Sequence, residues 1–526
     1  MPPHTSLIET MMQPDFYPHS TGRIELLQTH ISYVFIAGDF VYKVKKPFNL
    51  GFLDFTSLDR RKYYCREELR LNRRLAPDTY LDVVEIFEND DGRIVLGKGD
   101  RVIEYAVKMK ILPRDRMLKV LLSQGKVDQA VMKAIARKLV DFHEKAETGG
   151  EIDEIGGIET IRRNHDDNFI ETEYFIDATI PECQYRFIKS YVVNFIERNE
   201  SLFRKRVADH RIRNCHGDLH LEHICVTDSD IVIFDCIEFE KRFRYNDIAA
   251  EVAFLAMDLE NNGYRDCEET FVDAYIQYSQ DSEIRLLLNF YKCYYAYVRG
   301  KVTSLKLGNS EMDQHEQGET KKGASQYFDL AYTFAARLEK PALILMAGLM
   351  GTGKSNLAKR IASRLGAFII QTDTIRKEIL NIPPTDHHYE AFGNGIYASD
   401  MTQLTYEKAV EVASEKLKEG KPVIIDASFK NRNERARASE VAKKLGSDFF
   451  VIECVCREDI IKQRLESRIS EKGEASDGRW EIFQAQKETF ETITEVPEGS
   501  HIVIDTSASL EECARKVIEV IKDKIK

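Results

Sequence analysis

No run of apolar residues in this 526-residue sequence approaches the roughly 18 that a membrane-spanning helix requires, and the start, Met1-Pro2-Pro3-His4, lacks the basic segment and apolar stretch of an export signal. A cytoplasmic protein without membrane contact is the expectation. The ten cysteines include no C-x-x-C pair, so buried free thiols are expected rather than a metal ribbon. Excess positive charge is missing too. The formal net charge is −12, which argues against an extended nucleic-acid-binding surface, since phosphate binding relies on clustered Lys and Arg. Internal repeats are absent, and the one polar tract poor in large apolar residues is 307–325, where Gly308, Gly318 and Gly323 fall; it reads as a surface loop.

Apolar residues make up 43% and charged residues 31%, a mixture that fills cores and keeps a wet surface. The length calls for two or three domains. The first hundred residues are hairpin-rich: an apolar run at 33–36, the turn Ala37-Gly38-Asp39, then 40–45. A helix is expected over 58–75, and further strands at 93–96 and 102–109. After Pro113 the pattern is helical to about residue 338, broken by a β-like island at 224–226 and 231–235. From Pro341 strands alternate with helices, which predicts a parallel sheet covered on both faces. The expected layout is thus a β-rich lobe at 1–110, a helical lobe at 111–338 and an α/β domain at 339–526.

The sharpest motif is Gly348-Leu349-Met350-Gly351-Thr352-Gly353-Lys354-Ser355, a G-x-x-x-x-G-K-[ST] run between an apolar strand and an amphipathic helix. Glycines let backbone N–H groups curl around phosphates, the helix N-terminus adds positive potential, Lys354 reaches the outer phosphates and the Ser355 hydroxyl binds magnesium. Those features call for ATP and Mg2+. Asp426 ends the apolar run 423–425 and would hold that magnesium through water. Asp373, with Arg376 three residues on, opens the next helix; the carboxylate would accept the proton of an attacking hydroxyl while the guanidinium holds a substrate anion. Arg464 and Arg468 share a helix face and would lie over the transferring phosphate, with Arg435 a weaker candidate of the same kind. These residues resemble the small P-loop kinases that include gluconate kinase, chloramphenicol phosphotransferase, zeta toxin and the polynucleotide 5′-kinases. The resemblance implies phosphorylation of a hydroxyl.

His216-Gly217-Asp218-Leu219-His220-Leu221-Glu222-His223, followed by Phe234-Asp235, resembles the catalytic loop and metal aspartate of the aminoglycoside phosphotransferase and choline kinase family, whose pattern is H-x-D-x-x-x-x-N, a strand, then Asp. The resemblance implies that Asp218 orients or deprotonates an acceptor hydroxyl, Asp235 coordinates magnesium and His216 braces the loop. Lys43 would meet the nucleotide's α- and β-phosphates and pair with Glu68; Lys45, on the same strand face, and Glu67 are the alternatives. By order, 104–107 would be the hinge touching adenine. Asp247 and Glu251 fit the family's next helix in a structural role. One departure stands out: His223 replaces asparagine, and imidazole is a softer ligand that suits Zn or Mn better than Mg.

The fold class expected is a multidomain α/β protein, a bilobal protein-kinase-like domain followed by a P-loop domain, similar to bacterial fusions of an aminoglycoside phosphotransferase-like domain with a P-loop ATP-binding domain. The resemblance implies an ATP-dependent phosphotransferase active in both halves. The alternatives are a regulatory N-terminal half beside an active P-loop half, and an ATP-hydrolysing switch. The acceptor is a hydroxyl-bearing small molecule or nucleic-acid end, and the oligomeric state is open.

Overall fold

Six strands near the N-terminus pair into one antiparallel sheet: β1 (Glu25–Gln28), β2 (Ser32–Ala37), β3 (Phe40–Lys45), β4 (Tyr80–Glu88), β5 (Ile94–Leu96) and β6 (Arg101–Lys110), in the order β1-β2-β3-β6-β4-β5. The computed structural model describes residues 3–49, 51, 53–308, 312–382, 398–470 and 480–525. A two-residue loop joins β2 to β3, with Gly38 at φ +62° where a turn of this length needs a positive φ. That register sends Tyr42 and Val44 into a core with Leu7, Met11, Phe35 and Ala106, and leaves Lys43 and Lys45 on the other face. The helix Leu58–Asn72 covers this second face, its first turn capped by the Ser57 hydroxyl, which accepts from the Arg60 N–H. Its buried positions Arg61, Cys65, Glu68 and Asn72 recur at helical spacing, so a stripe of mostly polar side chains faces the sheet.

The chain splits into two units, Met1–Ala335 and Ala336–Lys526. Past β6 the first unit is a helical lobe around Ile248–Asn261, a helix buried almost all round. Two short ribbons interrupt it: β7 (Ile212–Asn214) with β10 (Tyr245–Asp247), and β8 (Ile224–Val226) with β9 (Ile231–Ile233). The expected surface loop at 307–325 is a correction, because the helix Gln314–Ala336 runs through Gly318 and Gly323. Asp313 accepts from the Glu316 N–H at 2.8 Å while Glu316 accepts from the Asp313 N–H at 3.2 Å, a capping box, and burial of Ala324, Phe328 and Ala331 outweighs the glycines' poor propensity.

Arg206, fully buried, donates to both oxygens of Asp247 (2.9 and 2.6 Å) and to both of Asp281 (2.7 Å each). Asp247 also caps the central helix through the Ala249 N–H. Arg206→Ala strands two carboxylates in the interior and is expected to cost about 3–5 kcal/mol in urea denaturation. His165 is packed against Phe169, Phe290 and Tyr294, and burial pushes its imidazole down to about 3 from 6.5. Between those values the unfolded chain takes up a proton that the folded chain refuses, so stability is whole above pH 6.5 and falls as pH drops, by about 1.4 kcal/mol per unit. His165→Phe should flatten that part of the stability–pH curve, measured by denaturation from pH 7 to 5.

In the second unit β11 (Ala342–Ala347), β12 (Phe368–Gln371), β13 (Val423–Asp426), β14 (Asp448–Val455) and β15 (His501–Asp505) form a wholly parallel sheet, order β12-β13-β11-β14-β15. Leu343, Leu345 and Ala347 pack with Ala409, Ala413, Ala438 and Ala442 from two helices, and the alternate residues Ile344 and Met346 are equally buried. Strand β11 is therefore covered on both faces, as its continuous apolar run requires. The helices Arg432–Lys444 and Trp480–Thr489 are additional to the sequence reading.

Candidate active sites

The parallel register aligns one sheet edge. Met346 lies opposite Asp426, and Asp426 opposite Gln371, so the C-terminal ends of β11, β13 and β12 sit side by side. Ligands of open α/β sheets bind at such an edge. From β11 the chain enters the glycine loop, where Gly348, Gly351 and Gly353 have φ of +127°, +77° and +84°. A Cβ on Gly348 would collide with the Cys454 carbonyl, and one on Gly351 would come within 2.8 Å of Ile461. The loop thus needs both the conformational freedom and the bareness of glycine. Thr352 Oγ1 and Lys354 Nζ each donate to the Leu349 carbonyl at 2.7 Å, closing the loop on itself, and the Thr352 carbonyl accepts from Thr506 at 2.5 Å, tying the loop to the segment after β15. Ser355 stands in the first turn of the helix Lys354–Leu365, which carries no acidic residue there to oppose an anion.

Asp426 is buried beside this loop, with Gln371 Nε2 3.5 Å from its carboxylate and the Thr372 hydroxyl donating to its carbonyl. Asp373 opens the helix Thr372–Ile379 and accepts from the buried Arg376 at 2.8 Å. Desolvation pushes the Asp373 carboxyl up; Arg376 works against this, Asp426 adds to it and Lys354 opposes it. Ser355 and Asp426 are the oxygen donors that fit a magnesium ion here, and the bare, positive-φ loop fits a polyphosphate.

The arginines divide. Arg464 donates to the Thr506 carbonyl at 2.7 Å and its guanidinium would lie 3.2 Å from a Cβ on Gly353, so it is fixed against the loop. Arg435 is a correction: fully buried, it donates to the Phe429 carbonyl at 2.7 Å and to Glu495 at 2.5 Å, which makes it a structural tie rather than a phosphate ligand. The Arg468 side chain lies outside the described residues.

In the first unit the sheet and the helical lobe meet through buried ion pairs. Lys43 reaches Glu68 at 2.9 Å and Asp235 at 2.5 Å, while Lys45 reaches Glu68 at 2.7 Å and also Glu238. Burial alone would lower the Lys43 pKa, but Asp235 and Glu68 raise it well above the usual lysine range. Glu67 is turned outward onto Arg70. Asp235 itself has φ +64°, a conformation that Asp tolerates better than most residues, and its N–H donates to the Tyr80 hydroxyl.

Beside it the loop of Asp218 is braced from below. The Glu251 Oε1 accepts from the His216 and Gly217 N–H groups, each at 2.7 Å, and the Glu251 Oε2 meets His143 at 2.6 Å. Burial pushes His216 down to about 4, so its neutral ring donates from Nε2 to the Phe234 carbonyl and accepts from the Asp218 N–H. The Asp218 carboxyl is pushed up by burial but held at about 2 by His220 and by the His223 and His216 rings. His223 lies between the two aspartates, Nδ1 3.5 Å from Asp218 Oδ2 and Nε2 3.6 Å from Asp235 Oδ2.

The assignment of 104–107 as an adenine hinge is a correction. Strand β6 is an inner strand, paired with β3 on one side and β4 on the other, so its backbone is spent in the sheet, and Glu104 is bound by Arg61 at 2.9 Å. Sequence reasoning missed Glu238 as the partner of Lys45 and His220 as the partner of Asp218. The H-x-x-H spacing of His220 and His223 was the available signal for the second; nothing local marked the first.

A glycine loop between strand and helix, a lysine at the helix start and an aspartate ending the adjacent strand define a P-loop nucleotide-binding domain. The family model described as AAA domain matches residues 343–493. Uncharacterised proteins of Mycobacterium tuberculosis and Mycobacterium bovis are 29% identical over 453 residues, which is 86% of this chain and 88% of theirs. Among solved structures, a gluconokinase from Sinorhizobium meliloti is similar at 20% identity (35% of this chain, 94% of that one, TM-score 0.26). The Mycobacterium tuberculosis APS kinase CysC in complex with AMPPNP and APS is similar at 19% identity (35% and 99%, TM-score 0.27). A choline/ethanolamine kinase family protein from Mesorhizobium loti is similar at 14% (64% and 99%, TM-score 0.37). Among the described residues no helix is long and apolar enough to cross a membrane.

Gly348→Ala puts a methyl group into the Cys454 carbonyl at a φ that L-residues rarely adopt. It is expected to abolish uptake of magnesium-ATP by the second unit, read by calorimetry, in a chain whose first unit melts as before.

Proposed function

We propose that the chain is an ATP-dependent phosphotransferase acting on hydroxyl groups, with a reaction site at the P-loop edge of the second unit and another at the Asp218 loop of the first. The observation that carries the reading is the strand register that brings Met346, Asp426 and Gln371 level, with the glycine loop to Lys354 leaving β11 and the Asp373–Arg376 helix leaving β12 at that edge. The loop amides and Lys354 hold the outer phosphates, and Arg376 orients the Asp373 carboxylate so that it takes the proton of an acceptor hydroxyl. Magnesium, held by Ser355 and through water by Asp426, neutralises phosphate charge when bound. Arg464, fixed against Gly353, adds positive potential at the loop. In the first unit Asp218 does for a second hydroxyl what Asp373 does for the first, and Lys43 serves the phosphates.

A second reading, in which the first unit binds nucleotide and regulates the other, is favoured by the Lys43–Asp235 pair, which ties up one oxygen of the metal aspartate, and by His223 at the asparagine position. Two substitutions in the full chain separate the readings, with transfer of labelled γ-phosphate to a panel of sugars, amino alcohols and nucleic-acid 5′ ends as the assay. Lys354→Ala is expected to remove one set of products and Asp218→Ala another, each by at least about 100-fold. If Asp218→Ala leaves every product intact, the first unit is regulatory; label appearing only as free phosphate would leave a hydrolytic switch.

A further inference from the structure

We propose that the first unit selects a divalent transition metal over magnesium, through His223 Nε2 and Asp235 Oδ2. The inference rests on reading the Asp218 loop as a metal-nucleotide site, and it deepens that reading by naming the cation. His223 Nδ1 is 2.8 Å from the Asp218 backbone carbonyl, which can only accept, so Nδ1 carries the hydrogen. In the neutral form, the only one that can ligate a metal, the Nε2 lone pair faces Asp235 Oδ2, 3.6 Å away. Two acceptors facing each other at that distance form no hydrogen bond. They do match two ligands of one ion, since metal bonds of about 2.1 Å to imidazole and carboxylate put such donors about 3–4 Å apart.

The surroundings fix this arrangement. Lys43 takes Asp235 Oδ1 and leaves Oδ2 to face the imidazole. His220 stacks on His223 with ring centroids 4.0 Å apart; its own Nδ1 accepts from the Glu222 N–H, so its Nε2–H faces Asp218 Oδ2 at 3.6 Å. Asp218, His220 and His223 could together hold an ion, but these internal contacts occupy the Nδ1 side of His223 and leave the Asp235 side. A backbone carbonyl on the far nitrogen is how proteins orient a ligating histidine. The Asp235 side chain keeps 39% of its surface exposed, so the ion retains open positions for water or phosphate oxygens. Magnesium prefers hard oxygen donors, whereas imidazole suits later first-row ions. The P-loop edge offers oxygen donors, Ser355 and Asp426, so the two units are built for different cations.

Co2+ is the probe, in the full chain carrying Lys354→Ala and Asp426→Ala so that the P-loop edge is silent. Visible absorption of the bound ion and calorimetry against Mg2+ are the readouts. The parent is expected to bind Co2+ with a nitrogen-ligand spectrum and to release it only to an excess of Mg2+ of about 100-fold or more. His223→Asn should lose that spectrum and weaken Co2+ at least about tenfold, narrowing the gap to Mg2+. Asp235→Asn should weaken Co2+ similarly while the melting curve shows the unit folded. No Co2+ uptake, equal affinity for the two ions in the parent, or a spectrum indifferent to His223→Asn each overturns the proposal. An imidazolium at His223 paired with Asp235 gives the last of these. ATP titrations on the same chains separate the layers: ATP uptake with no His223-dependent metal preference sinks the cation inference alone. Co2+ uptake that needs His223 without ATP uptake upholds the inference and sinks the nucleotide reading.

Discussion

One carboxylate serves two ammonium groups, and the first unit is organised around that sharing. Lys43 and Lys45 point the same way because they are two residues apart on a strand, and Glu68, wholly buried, gives each of them one oxygen. Half a partner leaves each ammonium only partly neutralised; Asp235 and Glu238, from the chain beyond β9, complete the neutralisation. A strand of the sheet, the helix over it and a loop of the helical lobe are thereby bound in one electrostatic unit. The same pairing holds Asp235 beside His223.

The second unit solves the same task by hydrogen-bond register. Parallel pairing alone brings Met346, Asp426 and Gln371 level at one edge of its sheet. The loop that follows is held by its own carbonyls, with Leu349 accepting from both Thr352 and Lys354. The two units thus differ in what would disturb them: a charge left without its partner in one, a slipped strand in the other.

Much of this was legible in the residues. Alternating strands and helices after Pro341 carried the parallel sheet, and glycines spaced between an apolar strand and an amphipathic helix carried the loop. Period-two reasoning put Lys43 and Lys45 on one face but could not separate them, because Asp235 and Glu238 arrive from nearly two hundred residues further on. The hinge was placed by order along the chain, and order says nothing about which strand is internal; β6 is. The tract at 307–325 was misjudged by its glycines while its Asp313–Glu316 capping box went unread. Arg435 was a candidate by its residue type alone until burial placed it on Glu495.

The alignment of β11, β13 and β12 has a consequence for how such a protein diversifies. Asp426 sits at a strand end, where a one-residue insertion would turn it to the opposite face of the sheet. Asp373 and Arg376 instead sit on the short helix that begins just past β12, outside the ladder. Changes in that helix and its neighbours therefore leave the register of Asp426 untouched, so the two features can vary independently.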